Sequence, residues 1–180
     1  EAARKLIELV FVKELGYSKI KSDKFDDIAV FLIAKVKDQT IAALRLILDS
    51  ESRLPLDSYA DLSELRNKNK KLAEVSRLAC LKDFRDNNVS INGITFHKQV
   101  LTNMGVTHVV VDSFLHSARL YRQLGFNTIG KPIFDHTIFR EGADPVAPNS
   151  QVMFAKVQEL NKREPVTADN KFCQKKKLPS

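Results

Sequence analysis

A single α/β (α+β) domain with a mixed central sheet flanked by helices is the fold class predicted by this sequence of 180 residues, and three observations carry it. Two apolar runs of strand length, Ile28 to Val36 and Thr40 to Leu48, are separated by the polar step Lys37-Asp38-Gln39, which is the pattern of a hairpin. From Asn87 onward helical and strand patterns alternate, as a parallel strand pair requires. A chain of this length closes one core with little left over, so a domain over residues 1–158 and a basic appendage over 159–180 are expected.

The elements follow in order. Leu6, Leu9, Val10 and Lys13 recur at helical spacing between Ala3 and Leu15, and Gly16 supplies the left-handed residue that often ends a helix. The hairpin comes next and is expected to be buried on both faces. Pro55 and a short helical piece near Leu62–Leu65 lead to a third long strand, Leu72 to Leu81, which carries Glu74, Ser76 and Arg77 inside an otherwise apolar run. Asn87, Asn88 and Ser90 can cap a helix reaching Met104 and stopped by Gly105. Thr107 to Asp112 is a strand, Phe114 to Leu124 a helix closed by Gly125, and strands are expected around Asn127–Ile129 and Gln151–Val157. Residues 140–149, with Gly142, Pro145 and Pro148, form a loop.

Composition excludes several classes of function. No apolar run approaches the ~20 residues that cross a bilayer, and no secretory signal opens the chain, so a cytoplasmic protein without stable membrane insertion is expected. Cys80 and Cys173 are too few for a disulfide framework and lack zinc-site spacing. His97, His108, His116 and His136 show no ligand spacing either, so no metal is expected; His116, between a strand end and a helix start, alone stays open. The net charge of +7 would suit an acidic partner, yet seven basic against three acidic residues lie from Lys156 to the end. The Lys175-Lys176-Lys177 run has no interleaved aromatics, which favours a solvated tail over nucleic-acid binding. A monomer is expected.

Two motifs are informative. The segment Ala118-Arg119-Leu120-Tyr121-Arg122-Gln123-Leu124-Gly125-Phe126 places a tyrosine four residues before a Gly-Phe pair and resembles the last helix of GNAT-type acyltransferases. That resemblance implies a sheet with two split parallel strands and a pantetheine arm in the gap, its amides bonded to strand backbone that would otherwise lack partners. An ordinary core tyrosine and a helix-ending glycine would give the same letters. Independently, Phe11, Tyr17, Asp23-Lys24-Phe25-Asp26, Arg45-Leu46 and Glu74-Val75-Ser76-Arg77 follow the order seen in acyl-homoserine lactone synthases and the N-acyl amino acid synthases related to them. Tyr17 stands where lactone synthases usually have tryptophan, and Ile7 where they usually have arginine. The chain is therefore most similar to the long-chain N-acyl tyrosine synthases.

What the resemblance implies is amide formation, in which the α-amine of an amino acid attacks an acyl thioester. Glu74 is then the base, acting through water, with Tyr121 the acid and strand amides near Ser76 and Leu78 holding the oxyanion. Glu74 and Arg77 have a competing reading as a structural ion pair. Residues three apart in a regular strand point to opposite faces, so such a pair needs a bulge. Phe11, Tyr17, Asp23, Asp26, Arg45, Ser76 and Arg77 are the substrate-side candidates, with Asp23, Asp26 and Arg45 suited to ordering an N-terminal lid. The segment Lys82–Asn88 lacks the glycines of a pyrophosphate loop and carries two aspartates. No bound cofactor is expected. The donor is expected to be the acyl-phosphopantetheine of acyl-carrier protein, docked on Arg85, Lys98, Arg119 and Arg122. Lactone synthesis from S-adenosylmethionine and a non-catalytic carrier-binding module are the alternatives.

Overall fold

The computed structural model describes residues 1–160 apart from 19, 21, 68, 69, 86–97, 141, 143, 145 and 146. The capping residues Asn87, Asn88 and Ser90, together with His97 and residues 161–180 of the expected 159–180 appendage, lie outside that set. The first helix, α1 (Ala2–Glu8), continues as a π-helix over Leu9–Glu14 rather than as α-helix throughout. Leu15 N–H reaches back to the Val10 carbonyl at 3.0 Å and Tyr17 N–H to that of Phe11 at 2.9 Å. Gly16, at φ +69°, makes the reversal between them without a Cβ penalty. Val10 and Phe11 are both buried on this widened turn.

Among the described residues six strands form one sheet in the order β1-β2-β3-β4-β6-β5: β1 (Val30–Val36), β2 (Gln39–Leu48), β3 (Leu72–Cys80), β4 (His108–Phe114), β5 (Asn127–Thr128) and β6 (Ser150–Lys156). Only β3 and β4 pair parallel among the described residues. The hairpin forms where the apolar runs predict, but its burial is one-sided. Among the described residues β1 is an edge strand, with Val30, Ile33 and Val36 exposed, whereas β2 is buried between neighbours.

The two faces of the sheet are covered differently. Leu44, Leu46, Ala73, Val109, Val111 and Met153 pack with Leu101 of the helical residues 98–103 (α3) and Ala118 of α4 (Ala118–Gln123). On the opposite face α1 lies on Ala43 and Ala79, while Leu54, Leu56, Leu62 and Leu65 cover Ile47, Leu72 and Val110. The short helix α2 (Lys82–Arg85) follows β3 directly. α4 begins four residues later than its apolar pattern suggests, since Leu115–Ser117 form a turn. Gly125 closes it at φ +96°, where a Cβ would come 3.1 Å from the Glu159 carbonyl oxygen.

One irregularity shapes the molecule. Ala43 faces Ala79 but Arg45 faces Ser76, so β3 offers Arg77 and Leu78 against Leu44 alone. Arg77 adopts φ +54° at this bulge, a left-handed conformation that costs a non-glycine residue roughly 1 kcal/mol or more. On its other side β3 keeps parallel register with β4 only over Leu72–Val75 against His108–Val111. A bulge bends and twists its strand. The two parallel strands therefore part where the bulge begins, which is the split the sequence resemblance implies.

Candidate active site

A cavity of about 300 Å³ opens at the split. Glu74 and Ser76 share a face with Arg45 and Ile47, their partners on β2. Asp112 shares it too, because Glu74 registers with Val110 and strand residues two apart point the same way. Ser113 points to the opposite face, where Leu120 and Tyr121 of α4 line the same cavity. The cavity thus passes through the sheet, with a carboxylate-rich end under the 54–60 segment and a helix-side end.

Glu74 is 2% exposed and its Oε2 accepts the Leu56 N–H at 3.0 Å. Burial lifts it to about 7, against the opposing pull of the Leu56 amide and of Arg45. A carboxyl group near neutrality holds and releases a proton at working pH, as a general base requires. Asp112 accepts from Ser150 Oγ at 3.0 Å through Oδ2, while its buried Oδ1 has no partner among the described residues. Burial first, then the neighbouring charge of Asp135, hold Asp112 well above the ordinary carboxylate range. Asp135 is fixed by Thr137, whose N–H and Oγ1 each donate at 2.7 Å, and Tyr59 Oη donates to it at 3.3 Å. Burial pushes Tyr59 and Tyr121 each up to about 12, so both phenols keep their protons. Tyr121 also packs edge-on against Phe126.

The motif residues form a compact charge network beside this end. Arg45 Nη1 contacts Asp23 at 2.7 Å and Asp26 at 2.6 Å; Arg77 contacts the same two at 2.9 and 3.0 Å. Arg45 Nε also donates to Ser76 Oγ at 3.1 Å. Two cations on two carboxylates make the group neutral, and Asp26 is buried with Ser22 Oγ on its second oxygen. Burial raises Asp26, but the hydrogen bond from Arg45, followed by Ser22 and Arg77, outweighs it and leaves its carboxyl below the usual range. β3 carries the bulge that a Glu74–Arg77 pair would have needed, yet it turns Arg77 onto Asp23 and Asp26.

Phe11, Asp23, Arg45, Ser76, Arg77, Arg85 and Tyr121 all line the cavity. Tyr17 stands behind the lining, stacked on Phe114 at 4.9 Å and tilted against Phe11 at 6.0 Å. His116 stacks on the other side of that contact, 5.5 Å from Phe114. Among the carrier-side candidates Arg119 and Arg122 are exposed on α4. Arg85 bonds to Glu14 and to the Cys80 carbonyl, and Lys98 donates to the carbonyls of Gln158 and Leu160. Cys80 is buried and its thiol raised by desolvation, so it is no nucleophile. No group of metal-ligating side chains and no helix long and apolar enough to cross a membrane occurs among the described residues.

Sequence reasoning missed Leu56, Tyr59, Asp112 and Asp135. Asp112 carried a signal, since it continues the apolar run Val109–Val111 within one strand. Asp135 carried none, because it arrives from an irregular segment pinned by the isolated pairing of Ile133 with Ser150.

A family model described as N-acyl amino acid synthase FeeM matches residues 2–140. No curated protein sequence matches the chain. Among solved structures, FeeM from uncultured soil microbes superposes with a TM-score of 0.71 at 18% identity, over 89% of this chain and 87% of that one. The CoA-dependent acyl-homoserine lactone synthase BjaI gives 0.68 at 16% identity, over 89% and 78%. The ribosomal-protein-S18-alanine N-acetyltransferase of Escherichia coli gives 0.57 at 12%, over 87% and 86%. The shared fold is that of the GNAT acyltransferases.

Proposed function

Since the chain belongs to the N-acyl amino acid synthase FeeM family and is an N-acyltransferase of GNAT-like fold, we propose that it moves a long fatty acyl group from acyl-carrier protein to the α-amine of an amino acid, tyrosine in the first instance. The observation that carries this reading is Glu74, a buried carboxyl group near neutrality, at a cavity that crosses the sheet at the β3–β4 split.

The chemistry then divides between the two faces. An amino acid arrives as its ammonium form, and the end lined by Glu74, Asp112 and Asp135 suits a cation. Glu74 takes one ammonium proton through water, and the freed amine attacks the thioester carbon from the other end. As the C–N bond forms and the C–S bond breaks, Tyr121 passes its proton to the departing sulfur and takes the second proton that the nitrogen sheds, so the phenol is restored, the amide leaves neutral, and Glu74 returns its proton to solvent. Backbone amides of β3 beyond Val75, no longer in register with β4, are the donors for the oxyanion. Leu78, Phe114, Leu120 and Ile138 supply apolar wall for the acyl chain.

Support for a carrier-protein donor comes from the Lys82–Asn88 segment, which lacks glycine and repels a pyrophosphate through Asp83 and Asp86, and from Arg119 and Arg122 exposed beside the helix-side end. BjaI uses a CoA donor on the same fold, so the comparison of donors is the decisive test. The purified protein is assayed with palmitoyl-carrier protein and palmitoyl-CoA against tyrosine, and lipid extracts of expressing cells are searched by mass spectrometry for N-acyl amino acids. A higher kcat/KM with the carrier-bound donor, and N-acyl tyrosine in the extract, are expected. Comparable values for the two donors overturn the donor assignment, and S-adenosylmethionine acting as acceptor in place of tyrosine overturns the acceptor.

A further inference from the structure

The hydrogen bond from Leu56 to Glu74 comes from a short piece of chain with no regular element to hold it. Pro55–Ser58 is a single 3-10 turn, which alone makes too few internal bonds to fix an amide against a buried carboxylate. Its anchor lies outside the cavity. Arg66 donates through Nε and Nη2 to Asp49 at 2.6 and 3.0 Å, and through Nη1 and Nη2 to Asp57 at 2.5 Å each. Both carboxylates are thus gripped by two bonds from one planar guanidinium, a geometry that lysine cannot reproduce. Asp49 follows the end of β2 and is tied to β3 by its N–H on the Leu72 carbonyl at 3.0 Å. Asp57 Oδ2 in turn accepts the Leu54 N–H at 2.7 Å. The chain of contacts runs unbroken from the sheet through Asp49, Arg66 and Asp57 to the turn carrying Leu56, and ends on Glu74.

We propose that Arg66 is a positioning residue for acyl transfer: by clamping Asp57 to Asp49 it holds the 3-10 turn at the one place where the Leu56 amide meets Glu74. This deepens the reading of Glu74 as base and rests on it. Side-chain exposures of 14–23% for Arg66, Asp49 and Asp57 place the clamp in partly dry surroundings, where a bidentate pair resists salt and thermal opening better than an exposed one. Leu54 and Leu56, each buried, set the turn's depth, and the clamp sets its position along the sheet. The other charged groups acting on Glu74 are Arg45 on β2, Asp23 from the segment before β1 and Asp112 on β4. None of these touches Arg66 in the ion pairs of the structure, so loosening the clamp acts on Glu74 through Leu56.

Losing a hydrogen bond made to the charged form raises the pKa of an acid. Arg66→Met, which keeps the apolar stem, is therefore expected to raise the Glu74 midpoint by about one pH unit and to move the acid limb of kcat/KM upward by the same amount. At pH 6 that is a roughly tenfold loss, while well above the new midpoint activity returns to near the parent value. Arg66→Lys restores part of the shift. The midpoint is read without turnover by ¹³C NMR of carboxyl-labelled glutamate, with the Glu74 signal assigned by its absence in Glu74→Gln. Asp57→Asn is the second variant should Arg66→Met not fold, since it breaks the ion pair but keeps an oxygen for the Leu54 amide. A Glu74 midpoint that stays put in a folded Arg66→Met or Asp57→Asn protein overturns the proposal. A midpoint that shifts while the pH–rate profile does not would keep the clamp's action on Glu74 and remove Glu74 from the base role, so the two readings fail separately.

Discussion

Glu74 is where the catalytic and structural readings separate at the level of one side chain. Had it balanced Arg77, removing its charge would have stranded a buried guanidinium. Arg77 instead sits on Asp23 and Asp26, so Glu74→Gln leaves that network whole. The variant should fold with a Tm no lower than the parent while kcat falls by roughly 10²–10⁴-fold, as general-base losses do; steady-state kinetics beside a thermal melt check both halves. Raised pH, which frees the amine in solution, should recover part of the rate. A stable Glu74→Gln protein with ordinary kcat would exclude the base assignment. Asp112 and Asp135 escaped the sequence because a carboxylate's meaning depends on what faces it, and Asp135 comes from an irregular segment 23 residues further along.

At the scale of elements, the network of Arg45, Arg77, Asp23 and Asp26 acts as a pin. It fastens the 22–26 segment, which has no strand or helix of its own, to β2 and β3, and Arg4 of α1 adds a bond to the Asp26 carbonyl at 3.2 Å. Arg45→Met would leave two carboxylates facing one cation in a buried site, costing on the order of 3 kcal/mol, and chemical denaturation should show it as a lower midpoint. A protein within 0.5 kcal/mol of the parent would show the pin to be dispensable, as the exchange of buried ion pairs for apolar contacts sometimes is. The exposed face of α4 offers a different test. Charge reversal at Arg119 and Arg122 should raise KM for the carrier-bound donor several-fold and flatten its salt dependence, leaving kcat alone; an unchanged KM moves the docking face elsewhere. Element order was legible in the sequence because hydrophobic periodicity and the glycines at 16, 105 and 125 mark it. The bulge was not. Its left-handed residue is an arginine, and no glycine or asparagine announces it. The widening of the first helix into π geometry was equally silent, since Leu6, Val10 and Phe11 satisfy both windings.

Taken whole, the molecule sets two groups of carboxylates against each other. Asp26 and Asp57 sit below their ordinary pKa, burial raising them but the hydrogen bonds of Arg45 and Arg66, respectively, prevailing. Each stabilises the fold above the unfolded carboxylate range near 4, and that contribution is lost as pH falls through their lowered values. Glu74 and Asp112 work in the opposite sense. Raised by burial, they favour the folded state fully only below about pH 4, and lose that contribution as pH climbs toward the Glu74 value of about 7. Stability should therefore peak in mild acid and decline toward neutrality. The double variant Glu74→Gln with Asp112→Asn should flatten that decline and melt several degrees above the parent at pH 8, where the parent buries both charges. Melts from pH 4 to pH 9 that coincide for the two proteins would rule this out.

The parting of β3 from β4 after Val75 and Val111 has a last consequence. A sheet that stops short in its own interior is an unfinished object, and whatever extended chain of amides lies down in the gap finishes it. If the pantetheine arm does so, as the family resemblance implies, the donor is a seventh strand lent for the length of one turnover. The protein is then most complete just before it reacts and reverts to the open form on product release. Its endurance in a cell would follow the supply of acyl groups, with scarcity leaving more molecules unfinished and more exposed to proteolysis.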